Sequence, residues 1–289
     1  TGGGSGIGKA IAKQYLQLGA TVYIASRKLE KLEKAMAELS QIGDCRLLEL
    51  NIRDLESVEA AAKHIKEQSG RLDILVNNAG GQFPSAAELI APKGWNAVIE
   101  TNLTGTWQMS QTFAKEFFMP QKDGIIVNII ANIIRGFPGM AHTGAARAGV
   151  DNITKTLAVE WAPYHIRINA IAPGIILSTG LDQYPPELLK GIEAKIPMKR
   201  LGGTDEVAYL ALFLSSPLSN YITGQTMYVD GGQSLWGDQT LCVGSERHPS
   251  GAVCLHRPGY QRPPAPPGTR PRAGAHAAAA VPARCTPLT

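Results

Sequence analysis

"TGGGSGIGKAIAKQYLQLGATVYIASRK", residues 1–28, carries three signals in a fixed order. A glycine cluster (1–8) comes first, a helix-period segment (8–19) second, and "TVYIAS" (21–26) third. A glycine turn that opens a helix and leads into a short β-branched strand is half of a parallel strand-helix-strand unit. The same alternation continues outward. "CRLLELN" (45–51), "LDILVNN" (72–78), "GIIVNII" (124–130), "IRINAIAP" (166–173) and "TMYVDGG" (226–232) are short and apolar on both faces, as strands of a buried parallel sheet must be. Helical patterns over 28–39, 55–68, 95–118, 145–163 and 205–216 fill the intervals. Right-handed crossovers then put helices on both faces, so the expected fold is α/β: a doubly wound, Rossmann-like parallel sheet in three layers. A glycine turn of this kind ordinarily follows a central strand, which leads us to expect that strand upstream of Thr1.

Composition divides the chain into a domain over 1–236 and a tail over 237–289. Nine of the 19 prolines fall in the tail, which lacks any apolar period, so it is expected to be disordered. The tail also holds six arginines against Asp238 and Glu246, which accounts for the whole net charge of +4. The remainder is neutral, so the basic balance argues against a nucleic-acid-binding face. No apolar run approaches the roughly 18 residues of a membrane span. Cys45, Cys242, Cys254 and Cys285 are too scattered for a zinc site or a disulfide framework, and no metal is expected.

Gly2, Gly6 and Gly8, with Ser5 and Ile7 between them, allow backbone N–H groups to approach a pyrophosphate at a helix N-terminus. Where a site for NAD would place a ribose-binding acid, at the end of the next strand, the chain has Ser26, Arg27 and Lys28. A guanidinium binds a 2′-phosphate that a carboxylate would repel, which points to NADPH.

In order along residues 1–236 stand "TGGGSGIG", "NNAG" (77–80), "TNLTGT" (101–106), "IVNI" (126–129), "IRINAIAPG" (166–174) and "ITGQTMYVDGG" (222–232). Together they resemble the short-chain dehydrogenase/reductase family. Within it, "IASRKLEKL", "NNAGGQF" and "GFPGMAHTGAARAGV" are most similar to the peroxisomal trans-2-enoyl-CoA reductases and their bacterial relatives. The resemblance implies reduction of an acyl-CoA thioester. It implies cofactor contacts from the glycine loop, Arg27, Asn51, Ile52, Asn78, Ala79 and Gly80, and from Pro173, Gly174 and Ile176 at the carboxamide end. It also implies a homotetramer. The end Pro287-Leu288-Thr289 is unlike the address tripeptide of the peroxisomal members, so a cytoplasmic location is expected.

The family's site combines Asn, Ser, Tyr and Lys. Asn102 keeps the first position. Counting back without gaps from Pro173-Gly174 puts Arg147 at the lysine position, Thr143 at the tyrosine position, and Ile130 and Ala131 near the serine position. Asp151 and Lys155, one and two turns beyond Arg147, are expected to form a surface ion pair. Reducing a ketone requires a proton donor at the oxygen. Reducing a conjugated thioester delivers hydride away from the oxygen and needs only hydrogen-bond donation there. Thr143, Asn102 or Asn132 could donate, and His142 is a weaker candidate. Residues 175–184 and the segment after them are expected to form a lid over the substrate. The alternatives are an alcohol or carbonyl dehydrogenase with an atypical acid/base, and a catalytically weak NADP-binding protein.

Overall fold

The structure is a computed structural model that describes residues 1–184 and 189–235. Helix α1 (Gly6–Gln17) leads to β1 (Val22–Ser26), α2 (Leu29–Leu39), β2 (Cys45–Glu49), α3 (Leu55–Ser69) and β3 (Ile74–Asn77). The next helical stretch runs through α4 (Pro92–Ile99), a π-helical segment (Glu100–Thr104), α5 (Gly105–Phe113), a second π-helical segment (Ala114–Phe118) and α6 (Met119–Gln121). Then follow β4 (Gly124–Ile129), α7 (Ala141–Glu160), β5 (Ile166–Pro173), β6 (Ile176–Leu177), β7 (Gly202–Gly203), α8 (Thr204–Ser215) and β8 (Thr226–Val229).

All six expected strands form, and every pairing is parallel. β1 pairs with β2, Val22 opposite Cys45; β3, β4, β5 and β8 form a four-stranded sheet in that order. The β-branched runs explain the burial: Ile126, Val127, Ile168 and Ile171 are wholly inaccessible, and each such side chain contributes about 1.5–3 kcal/mol through burial. One apolar cluster joins α3 and α5 to β4 and β5, and another joins α1 and α8 to β4 and β5. Helices therefore cover both faces, as expected. Between β1 and β3, Thr1 and Gly2 bridge the two edges: the Thr1 amine donates to Val76 O (2.8 Å) and Gly2 N to Ala25 O (2.7 Å).

Boundaries differ where apolar periodicity is silent. The first long helical stretch starts at Pro92, not at residue 95, because proline suits a first helical turn. Helix α7 begins at Ala141 rather than 145 and so takes His142 and Thr143 into its first turn. The short β6–β7 pair was not expected. The proposed tail and its boundary at 236 lie outside the described residues, as do residues 185–188 of the segment following the expected lid.

Candidate active site

The glycine loop and the end of β3 are tied together. Thr1 Oγ1 accepts from Asn78 N (3.1 Å) and Ala79 N (2.9 Å), and Asn78 Nδ2 donates to Thr1 O (3.0 Å). Gly8 must be glycine here, since a Cβ would fall 2.3 Å from Gly2 O and 2.5 Å from Asn78 Nδ2. Asn78, expected as a cofactor contact, thus has its side chain engaged in positioning the loop. Above the loop, helix α1 begins with no side-chain cap from Ser5 and no acid in its first turn. Its leading N–H groups and dipole suit an anion. Arg27 and Lys28 stand exposed just past β1, and Ser26 Oγ accepts from Lys28 N (3.3 Å). These features fit an anionic dinucleotide.

Farther along, Asn51 N donates to Ser57 Oγ (3.0 Å), and the Ile52 side chain is buried in the core. Any contact from Ile52 to an adenine is therefore a backbone contact. Pro173 O accepts from Asn132 N (3.1 Å), Gly174 N donates to Val229 O (2.9 Å), and Ile176 is buried.

The catalytic candidates converge at Gly80. A Cβ there would lie 2.3 Å from Arg147 Nη2 and 2.6 Å from Asn102 Oδ1, so only glycine admits both side chains. Arg147 is buried, donates from Nη1 to Ile129 O (3.1 Å), and forms no ion pair among the described residues. Burial pushes its guanidinium down to about 10. It remains a cation at neutral pH with N–H groups to offer.

Of the three expected donors, Asn102 is fully committed and Asn132 spends one of its two amide hydrogens. The first π-helical segment turns Asn102 inward, where Nδ2 donates to Gly81 O (2.6 Å) and Val98 O (3.0 Å) while Oδ1 accepts from Gly81 N (3.1 Å). Both amide hydrogens are used, so Asn102 holds the loop after β3 and cannot also donate to a substrate. Asn132 donates to Asp230 Oδ2 (2.9 Å). Thr143 is different: it is wholly buried and its Oγ1 lies 3.3 Å from His142 Nδ1. His142 Nδ1 accepts from Thr143 N (2.8 Å), which puts the neutral ring's proton on Nε2, and that atom has no partner among the described residues. Burial holds the imidazole below its ordinary range, and the Phe83 ring meets it edge-on with centroids 4.4 Å apart.

Two polar residues of this region escaped the sequence reading as a pair. Gln82 Nε2 donates to the Tyr184 hydroxyl, which in turn lies 3.7 Å from Met140 Sδ. Burial pushes the Tyr184 phenol up. The other end of the expected lid touches the cofactor side, for a Cβ on Gly6 would lie 3.6 Å from Ser178 Cβ. The segment therefore spans from the glycine loop to Gln82. Asp151 and Lys155 do form the expected outer ion pair, and Thr226 Oγ1 donates to the same carboxylate.

A family profile described as enoyl-(acyl carrier protein) reductase matches residues 2–234. A probable 2,4-dienoyl-CoA reductase [(2E)-enoyl-CoA-producing] of Bacillus subtilis (strain 168) is 41% identical over 81% of this chain and 95% of its own. A peroxisomal 2,4-dienoyl-CoA reductase [(3E)-enoyl-CoA-producing] of Pongo abelii is 37% identical over 80% and 81%. Among solved structures, the citronellol catabolism dehydrogenase of Pseudomonas aeruginosa PAO1 superposes with a TM-score of 0.73 at 39% identity, over 81% of this chain and 92% of that one.

Proposed function

The chain belongs to the short-chain dehydrogenase/reductase family, and from that premise we propose that it is an NADPH-dependent reductase of a carbon–carbon double bond conjugated to an acyl-CoA thioester. The activities named for its relatives favour a 2,4-dienoyl or 2-enoyl chain. They also favour a place in fatty acid metabolism. The observation that carries the reading is Arg147, a buried cation beside Gly80 without an anionic partner among the described residues, with Thr143 one helical turn away where a phenol would serve ketone reduction.

A nicotinamide dinucleotide bound here would supply the hydride. The N-terminal turn of α1 with Gly2, Ser5, Gly6, Ile7 and Gly8 would hold its pyrophosphate, Arg27 and Lys28 the 2′-phosphate, Arg147 the ribose nearest the reaction, and Ala79 and Gly80 its ring edge. Reduction of a conjugated thioester drives negative charge onto the thioester oxygen. Thr143 Oγ1 stabilises that charge by donation, with the Nε2–H of His142 as a second donor. No acid is needed at that oxygen, because water can protonate the carbon. In a dienoyl substrate, protonation at the α- or γ-carbon decides between a 3-enoyl and a 2-enoyl product.

The test compares substrates. NADPH oxidation should be rapid with 2,4-hexadienoyl-CoA or crotonyl-CoA, and Arg27→Ala should raise KM for NADPH about tenfold. Turnover of alcohols with none of the thioesters would overturn the reading, and a KM for NADH equal to or below that for NADPH would remove the coenzyme assignment. A second reading, alcohol–carbonyl interconversion with an atypical acid, draws on the Tyr184 hydroxyl at the site's mouth and on the citronellol relative. The homotetramer belongs to the same proposal. Exposed Leu218, Tyr221 and Leu235 lie within or beside "YITGQTMYVDGGQSL" (221–235), which resembles the segment that packs at the family's subunit interface, and light scattering checks it.

A further inference from the structure

The loop after β3 and the start of α7 meet at one phenol. Gln82, two residues past Gly80, donates from Nε2 to the Tyr184 hydroxyl. On its other side that hydroxyl lies 3.7 Å from Sδ of Met140, a buried residue just ahead of Thr143. The two segments are themselves joined, for Ser85 N donates to Gly139 O (2.7 Å) and the Phe83 ring packs on His142. A 3-10 turn (Thr179–Gln183) brings the chain to Tyr184 from Ser178, which stands beside Gly6. Gln82 supplies the proton of its bond to the phenol oxygen, so the phenol's own proton is left to spend. A thioether is a weak acceptor, and no oxygen or nitrogen among the described residues takes that proton. Burial pushes the phenol up, so it stays protonated at neutral pH.

We propose, resting on the acyl-thioester reading, that Tyr184 is a catalytic acid: it protonates the γ-carbon of a reduced 2,4-dienoyl thioester and so makes the 2-enoyl isomer the product. Hydride delivered to the δ-carbon shifts the γ,δ π pair to the β,γ bond and the α,β pair toward the carbonyl carbon, whose own π pair goes onto oxygen. Thr143 and His142 meet that oxygen from α7, while the phenol comes from the segment over 175–184. Water protonates such a dienolate at the α-carbon unaided, because the charge is greatest next to the oxygenated carbon, and a 3-enoyl product results. The γ-carbon receives the proton only from an acid held beside it. There the phenol O–H bond breaks and the β,γ pair forms the new C–H bond. The pair next to the carbonyl carbon returns to the α,β bond, and the oxygen pair restores the carbonyl. The phenolate left behind keeps the Gln82 N–H as its donor and regains a proton from water.

The test reduces 2,4-hexadienoyl-CoA with NADPH and the full chain in heavy water, and NMR of the product locates the double bond and the deuterium. The expected product is the 2-enoyl thioester with deuterium on its γ-carbon. Tyr184→Phe keeps the ring and removes the acid, so the 3-enoyl isomer deuterated at the α-carbon should take over, a change in product ratio of about tenfold or more. Gln82→Leu removes the hydrogen bond that orients the phenol and should move the ratio the same way by a smaller factor. A 3-enoyl product from the unaltered chain, or the same ratio from Tyr184→Phe, would overturn the role of Tyr184 and leave the thioester reading standing. No reduction of the dienoyl thioester would also overturn it, and if crotonyl-CoA were inert as well the thioester reading would fall with it.

Discussion

Helix α7 carries two sets of buried polar groups, one in its middle turns and one at its start. In the middle, Thr154 Oγ1 accepts from Asn128 Nδ2 (2.9 Å) and donates to Val150 O (2.7 Å), and Asn128 Oδ1 accepts from Asn77 Nδ2 (2.9 Å). That ladder crosses from β3 through β4 to the helix, and every donor in it is used by a neighbour, Asn77 Oδ1 being its one buried atom without a partner among the described residues. At the start, Arg147 has a single hydrogen bond to Ile129 O and no counter-charge among the described residues, while His142 Nε2 has no partner there. Both sets are equally removed from water. A buried polar group whose partners are internal contributes to the fold, whereas one held with donors free marks a place where something else must bind.

Substitutions sharpen this contrast. Arg147→Ala should have the largest effect: a drop in kcat/KM of roughly 1,000-fold, about 4 kcal/mol. The melting temperature should hold or rise, because an unpaired buried charge has been removed. A variant that unfolds instead would place Arg147 with the ladder. Thr143→Val keeps the shape and removes the hydroxyl, and kcat should fall about 100-fold; unchanged kcat would leave the oxygen-stabilising role to His142. Asn128→Ala should behave oppositely, losing about 2 kcal/mol in denaturant unfolding while kcat/KM changes by no more than a few-fold. The smallest effect concerns Glu206, in the first turn of α8. Arg200 and the Gly203 N–H hold its carboxyl down to about 2, from an ordinary 4.5. Its contribution is complete above about pH 4.5 and is lost as the pH falls toward 2. Because the pair is exposed, the contribution stays under about 1 kcal/mol. Acid titration of Glu206→Gln should lack that part of the slope.

The strands were legible because Val and Ile runs bounded by turn residues have few other uses, and the glycine loop because its spacing serves close backbone approach. The position of Arg147 was legible by counting back from Pro173-Gly174. What escaped was the hydrogen bonding. Nothing local to Asn102 announces that Gly81, 21 residues earlier, occupies its amide, or that Asp230, 98 residues beyond Asn132, takes that side chain's donor. The start of α7 escaped too, since "AHTG" offers no apolar rhythm, and so His142 read as a loop residue. The β6–β7 pair rests partly on Gly202 and Gly203, which have no side chain to signal a strand.

Adjacent Asn77 and Asn78 point opposite ways, the first toward Asn128 and Ser110, the second toward the backbone at Thr1. Sliding β3 by a single residue would swap the two amides, leaving one stranded against the loop and the other against the interior. The doubled asparagine therefore works as a key during assembly: misaligned chains fail at two locks together, and the aligned one closes both.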